Sequence, residues 1–437
     1  MLGTTAQQHD MTDTKYKHTE LGPIPEHWEI GRLANYFTER REKVSDKEFA
    51  PLSVTKNGVL PQLENVAKSN DSENRKGVRK GDFVINSRSD RKGSSGVSDR
   101  DGSVSLINIV LTPRKSINTA YCNYLLKSQN FIEEFYRYGR GIVADLWTTR
   151  YSEMKLMKLA IPPLHEQEAM VAYLDEQTGK IDAAIEREQK MIDLLNERKQ
   201  IIIQQAVTKG LNPNAPLKDS GIEWIGAIPE SWRKKRFKYL FKTSTGITFT
   251  KAQLESEGNP VLSYGQVHSK LNKSGTLNEE LIKFVPNSLT AGKDNCLVYN
   301  GDFIFADTSE DFEGCGNNIY VDTEYPVYAG YHTIIARKQN EEYGKYLGYL
   351  FASKAWRGQV RTRVNGVKVY SITQGILNGS WVILPPKAEQ IAIAEYLDKV
   401  IGVIDKEEAH RNRLISLLRE RKQIIVNEVV TGKIKVS

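Results

Sequence analysis

The sequence predicts an α+β protein: two tandem globular domains separated by two long helices that form an antiparallel coiled coil, related by a pseudo-twofold repeat. Three observations carry this. The chain repeats itself once, each repeat ends in a heptad-patterned stretch, and the segments before those stretches mix short β-rich runs with turns. At 437 residues the chain is too long for one ordinary domain and fits two or three.

The repeat is read from matched segments. Gly22-Pro-Ile-Pro-Glu-His-Trp28 returns 204 residues later as Gly226-Ala-Ile-Pro-Glu-Ser-Trp232. Gly81-Asp-Phe-Val-Ile85 returns after 220 residues as Gly301-Asp-Phe-Ile-Phe305, and Tyr124-Leu-Leu-Lys-Ser128 after 225 as Tyr349-Leu-Phe-Ala-Ser353. The strongest match runs without a gap, 223 residues apart, from Ile161-Pro-Pro-Leu-His-Glu-Gln167 through Thr208 onto Leu384-Pro-Pro-Lys-Ala-Glu-Gln390 through Thr431. Inside it Glu197-Arg-Lys-Gln-Ile-Ile202 and Glu420-Arg-Lys-Gln-Ile-Ile425 are identical.

The matched segments are expected to be helices. Pro162-Pro163 and Pro385-Pro386 block a helix before them and favour a start just after. Leu174, Ile181, Glu188, Leu195 and Ile202 recur every seven residues, as do Leu397, Ile404, Arg411, Leu418 and Ile425. Such a seam predicts a coiled coil. About forty residues at 1.5 Å each span roughly 60 Å, longer than a compact domain needs. The seam is interrupted at Glu188 and at the equivalent Arg411, and a Glu188–Arg411 contact that fixes register is expected. Lys209 to Pro216, rich in Gly, Pro and Asn, ends the first helix.

The globular segments carry β-rich runs at Asp82–Asn86, Ser105–Leu111, Asp302–Ala306 and Tyr331–Ala336. Amphipathic helices are expected over 119–137 and 341–357. The expected division is a polar tail over 1–20, domains over 21–160 and 225–383, long helices over 161–210 and 384–433, and a linker over 211–224.

Composition excludes several classes. Lys and Arg number 61 against 54 Asp and Glu, a net charge of +7, and the mean hydropathy is −0.48. No apolar run is long enough for a transmembrane helix. The first twenty residues lack the apolar core of a signal peptide, so a reducing cytoplasm is the expected compartment. Cys122, Cys296 and Cys315 are too few and too scattered for a disulfide framework or a four-ligand zinc site.

Catalytic motifs are missing. Each of Gly179-Lys180, Gly292-Lys293, Gly344-Lys345 and Gly432-Lys433 lacks the Ser or Thr that a phosphate-binding loop needs next. Phe312-Glu-Gly-Cys-Gly316 matches a turn of S-adenosylmethionine-dependent methyltransferases, but the Asn/Asp-Pro-Pro-aromatic loop those enzymes need is absent. Asp145 with Glu153-Met-Lys155 is too incomplete for a nuclease centre. No His-x₃-His pair offers a zinc site, and His332, inside an apolar run, is expected to be a hydrogen-bonded core or interface residue.

Positive charge, in contrast, is organised. Trp356 to Tyr370 carries Arg357, Arg361, Arg363 and Lys368 and no acid; Phe135 to Gly141 carries Arg137 and Arg140 among tyrosines. Residues 75–100 hold Arg75, Lys76, Arg79, Lys80, Arg88, Arg91, Lys92 and Arg100 among Ser and Gly. Arg and Lys in such loops suit phosphate contacts and bidentate reading of guanine edges. The candidate DNA-binding residues are Arg88, Arg91, Lys92, Arg137, Arg140, Arg357, Arg361, Arg363 and Lys368. Arg233-Lys-Lys-Arg-Phe-Lys238 is denser still and suits a backbone-contacting face.

The Gly-x-Ile-Pro-Glu-x-Trp opening, the Gly-Asp-hydrophobic strand, the Pro-Pro-x-x-Glu-Gln helix start and the Leu-Leu-x-Glu-Arg-Lys-Gln helix end all occur twice. Together with Lys218-Asp-Ser-Gly-Ile-Glu-Trp224, this pattern resembles the specificity subunits of type I restriction–modification enzymes, over about residues 17–433. The resemblance implies a non-catalytic protein whose two target-recognition domains each read one part of a bipartite, asymmetric DNA sequence. The helices would set the spacer and dock the methyltransferase subunits, two of them, and a motor-nuclease subunit would join the full complex. No cofactor is expected in this chain: S-adenosylmethionine would belong to the methyltransferase, ATP and Mg²⁺ to the motor. Alternatives left open are a specificity subunit of a related bipartite-site system and a coiled-coil scaffold that binds no DNA.

Overall fold

A computed structural model of the protein describes residues 15–62, 73–141, 147–272, 277–339, 341–366 and 368–436. The chain divides into two compact units, one made of the residues up to Gln189 together with those from Asn412 onward, the other of Lys190–Arg411. Neither unit is a sequence repeat. The cause is the two long helices, Leu164–Lys209 and Lys387–Val430, each of which contributes to both units.

In the first unit a four-stranded antiparallel sheet runs in the order Ser95–Val97, Phe83–Asn86, Asn108–Pro113, Phe37–Glu39. Phe83 and Ile85 face the main core, while Val84 faces a smaller cluster with Leu52, Val78 and Val104, as strand alternation requires. The main core also takes Met170 and Leu174 from the first long helix and Val429 and Val430 from the end of the second. Asp182 bonds Lys422 further along. As one helix advances the other retreats, so they run antiparallel.

The second unit has the same sheet order: Asn318–Tyr320, Phe303–Ala306, Thr333–Lys338, Phe241–Thr245. It adds a mixed four-stranded sheet in which Asn259–Leu262 and Val327–Ala329 are parallel. Its core joins Ile203, Ala206 and Val207 of the first helix to Ile393, Leu397 and Ile401 of the second. Lys199 bonds Asp405 at 2.8 Å, both largely buried, with the same antiparallel offset as Asp182 with Lys422. Of the heptad seam, Leu174, Ile181, Leu397 and Ile404 are buried. Glu188 and Arg411 fall in different units, so their pairing stays an expectation; within its own helix Arg411 bonds Glu407 at 2.6 Å.

Four expectations are refined. The helices expected over 119–137 and 341–357 are two each, Thr119–Lys127 with Gln129–Arg137 and Gly344–Ala352 with Lys354–Arg361. The break is Ser128 and its repeat mate Ser353, both extended. Each hydroxyl donates to the carbonyl three residues back and accepts the N–H three residues on, so the serine closes one helix and caps the next. Residues 16–19, placed in the tail, form a strand with Gly22–Pro25, and Leu217–Asp219, placed in the linker, pairs with Ala227–Pro229. His332 is not in the core. It sits exposed at φ +53°, its Nδ1 3.2 Å from Asp307. Finally, Asp145 lies outside the described residues. The three cysteines are buried and unbridged, and no helix among the described residues is long and apolar enough to cross a membrane.

Candidate nucleic-acid interface

The repeated motifs build a frame that fixes each globular part onto a long helix. Trp28 Nε1 donates to Glu166 at 3.1 Å, and Trp232 Nε1 to Glu389 at 3.0 Å. Gln167 and Gln390, both fully buried, each donate to the proline carbonyl five residues back at 2.9 Å. They also accept the backbone N–H of Asn118 and of Tyr343, both at 2.8 Å. The Tyr124 hydroxyl donates to Asp175 and that of Tyr349 to Asp398, both at 2.7 Å. Gly210 and Gly432 end the helices at φ +73° and +72°. A Cβ at Gly432 would meet Trp28 at 2.9 Å, and one at Gly210 would meet Trp232 at 3.2 Å. Only glycine tolerates both the left-handed backbone and the approach.

On this frame the candidate residues of the first unit gather around 147–149. Arg88 and Arg140 both bridge the backbone of Thr148. Lys92 and Arg137 line a cavity of about 760 Å³ with Tyr136 and the part-exposed Trp147. This face is not purely cationic. Arg88 and Arg91 lie 3.3 and 3.8 Å from Asp90, Lys92 is 2.5 Å from Glu133, and Arg137 is 2.5 Å from Glu134. Arg140 is exposed without such a partner among the described residues.

Of the other cations in the 75–100 segment, Lys80 is exposed, with its backbone N–H bonded to Asp101, and Arg75, Lys76, Arg79 and Arg100 are engaged by the fold around them. Arg75 is buried against Ser103, and burial lowers its pKa; Lys76, likewise lowered by burial, donates to the Asn108 carbonyl at 2.7 Å. Arg79 is held by Glu42 and Asp101, and Arg100 by Asp99.

In the second unit Arg357 is half-buried, its Nε bonded to the Phe351 carbonyl at 3.2 Å. Burial and the neighbouring Arg361 charge bring its pKa down to about 10, which leaves it charged at neutral pH. Arg361 bonds Glu313 at 2.9 Å and lies over the Phe312 ring, so it pins the Phe312–Gly316 turn whose sequence resembles a methyltransferase motif. Arg363 and Lys368 are exposed and form no ion pair among the described residues. Arg233–Arg236, expected from the sequence to suit a backbone-contacting face, form a strand on Trp381–Leu384, and Lys234, Lys235 and Arg236 meet Arg363 in one groove. No group of His, Cys, Asp and Glu fit to hold a metal ion occurs among the described residues.

A family model described as the type I restriction modification DNA specificity domain matches residues 229–416. The putative type I restriction enzyme MjaX specificity subunit of Methanocaldococcus jannaschii is 23% identical over 461 residues, covering 97% of each chain. The type I restriction enzyme EcoKI specificity subunit of Escherichia coli is 22% identical over 446 residues, covering 94% of this chain and 90% of that one. A structure described as showing complex assembly and conformational transition of the type I R-M system shares the fold, with TM-score 0.59 and 16% identity over 94% of this chain and 99% of that one. Residues 229–416 thus carry a type I restriction modification DNA specificity domain, and with its motif set present twice the chain is similar over nearly its whole length to type I restriction enzyme specificity subunits.

Proposed function

We infer that this chain recognises a bipartite, asymmetric DNA sequence and directs adenine methylation and restriction carried out by partner subunits, itself performing no chemistry. One observation carries this most: two units hold their long helices through the same Trp–Glu, Gln and Tyr–Asp contacts, yet the segments that carry Arg88, Arg91 and Lys92 in one and Arg363 and Lys368 in the other differ. A duplicated support with diverged loops suits two sites that read different sequences.

The target-recognition domains are residues 21–160 and 225–383, and the helices over 161–210 and 384–433 set the spacer between half-sites. Arg88, Arg91, Lys92, Arg137 and Arg140 face DNA in one domain, and Arg357, Arg361, Arg363 and Lys368 in the other. Arg140, Arg363 and Lys368 are exposed and form no ion pair among the described residues, while Arg91 and Arg137 are exposed beside Asp90 and Glu134. Arg357 and Arg361 act by shaping the loop beside them, and Lys92 and Arg137 must leave Glu133 and Glu134 to reach phosphate.

The helices also support docking of two methyltransferase subunits, with motor-nuclease subunits joining the full complex in the bacterial or archaeal cytoplasm. Leu194 and Ile201 are 50% and 49% exposed, and their repeat mates Leu417 and Ile424 are 52% and 47% exposed. Apolar side chains left in water at equivalent places fit the same partner bound twice.

Exchanging residues 21–160 for the matching domain of another specificity subunit tests the assignment. The methylated sequence is expected to change in one half-site only, with the other half and the spacer kept. A change in both halves, or in neither, contradicts it.

A further inference from the structure

Every cation of the first unit's candidate face except Arg140 has a carboxylate beside it, whereas one groove of the second unit has none. The strand Arg233–Arg236 lies antiparallel on Trp381–Leu384, with Arg236 opposite Trp381. The Arg236 guanidinium sits 3.9 Å above the Trp381 ring, and Lys234, two residues back on the same face, 5.1 Å from it. Both heads are also held by backbone carbonyls, Arg236 by Gly379 and Lys234 by Ser220. Lys238 stands 5.0 Å over Tyr239, a ring 66% exposed. Lys235 and Arg363 complete the wall of a groove of about 850 Å³ that contains no acidic residue. Among the described residues, Arg233, outside the groove, is the one cation of the run in an ion pair, with Glu342 at 2.7 Å.

Like charges gathered on one surface repel, and here fixed carbonyls and aromatic faces hold two of them in place. Such a site gains most from a polyanion whose charges are closely and regularly spaced, as along duplex DNA. The first unit has no counterpart among the described residues: the matching strand is Glu29-Ile-Gly-Arg32, paired with Lys158–Ile161.

We propose that this groove is a phosphate clamp, a sequence-independent site for the DNA backbone that belongs to the second unit alone. The proposal rests on the DNA-recognition reading and deepens it. The second domain supplies a larger share of the salt-dependent affinity, and the first contributes base reading with less anchoring.

The test uses the assembled complex carrying Lys235→Ala with Lys238→Ala, both exposed and neither packed in the core. Binding is measured against salt on a duplex with the methylated motif and on a scrambled duplex. Losing two phosphate contacts should make the slope of log K against log salt shallower by about 2 and weaken both duplexes alike. The methylated sequence should stay unchanged, and Lys235→Arg with Lys238→Arg should restore the slope.

An unchanged slope in a complex that still methylates a bipartite motif overturns the clamp and leaves the broader reading intact. Loss of methyltransferase subunits from the purified double variant overturns it in favour of an acidic protein surface. Failure of the broader reading shows separately, as a wild-type complex with no bipartite preference.

Discussion

Trp232→Ala is expected to destabilise the second unit by about 3–5 kcal/mol, the usual range for emptying a buried tryptophan site. The side chain is 1% exposed and sits in the core that joins both long helices to the sheet. Its Nε1 is also the donor to Glu389, so the substitution removes a hydrogen bond to a half-buried carboxylate as well as volume. For a unit of roughly 200 residues the loss corresponds to a melting transition lower by about 10 °C. Calorimetry of the full chain checks it. The transition of the second unit should move while that of the first stays, and Trp28→Ala should do the reverse. Trp232→Phe should recover part of the loss, because it restores most of the packing but not the donor.

The second large effect concerns the helices. Seven residues inserted within 185–200, matched by seven within 405–422, keep every seam position facing its partner because the seam repeats every seven. The helices lengthen by about 10 Å, close to three base-pair steps of duplex DNA. The expected result is the same two half-sites separated by a spacer about three base pairs longer, read by sequencing methylated DNA. An insertion of three or four residues in one helix alone rotates the seam away from its partner, and it should abolish methylation instead. An unaltered spacer in the heptad variant would show that the helices do not set the distance.

The long helices were legible because two local signals agree, the Pro-Pro stop and a heptad seam kept for about five repeats. The division into units was not. Val429 and Val430 end the second repeat in sequence but complete the core of the first unit, a consequence of antiparallel pairing that no local pattern records. The breaks at Ser128 and Ser353 were hidden because serine is compatible with a helix, and only its extended backbone here turns it into a cap.

The candidate interface was legible in outline only. Sequence shows that residues 75–100 are basic, but not that Glu42 and Glu133, distant along the chain, come back to neutralise Arg79 and Lys92. Nor does it show that Arg75 spends its charge on a buried serine. The Arg233–Arg236 run was legible as basic, but not its stacking on Trp381, which lies far along the chain. Cations matter where the fold leaves them unpaired, and pairing is a property of tertiary structure.

The most direct test of the central claim is to express the chain with its methyltransferase subunit in a host lacking other adenine methylation, then map every modified adenine. The expected result is one asymmetric motif of two short specified parts around an unspecified spacer of fixed length. A continuous motif without a spacer, or an active complex that methylates adenines without sequence preference, would contradict it.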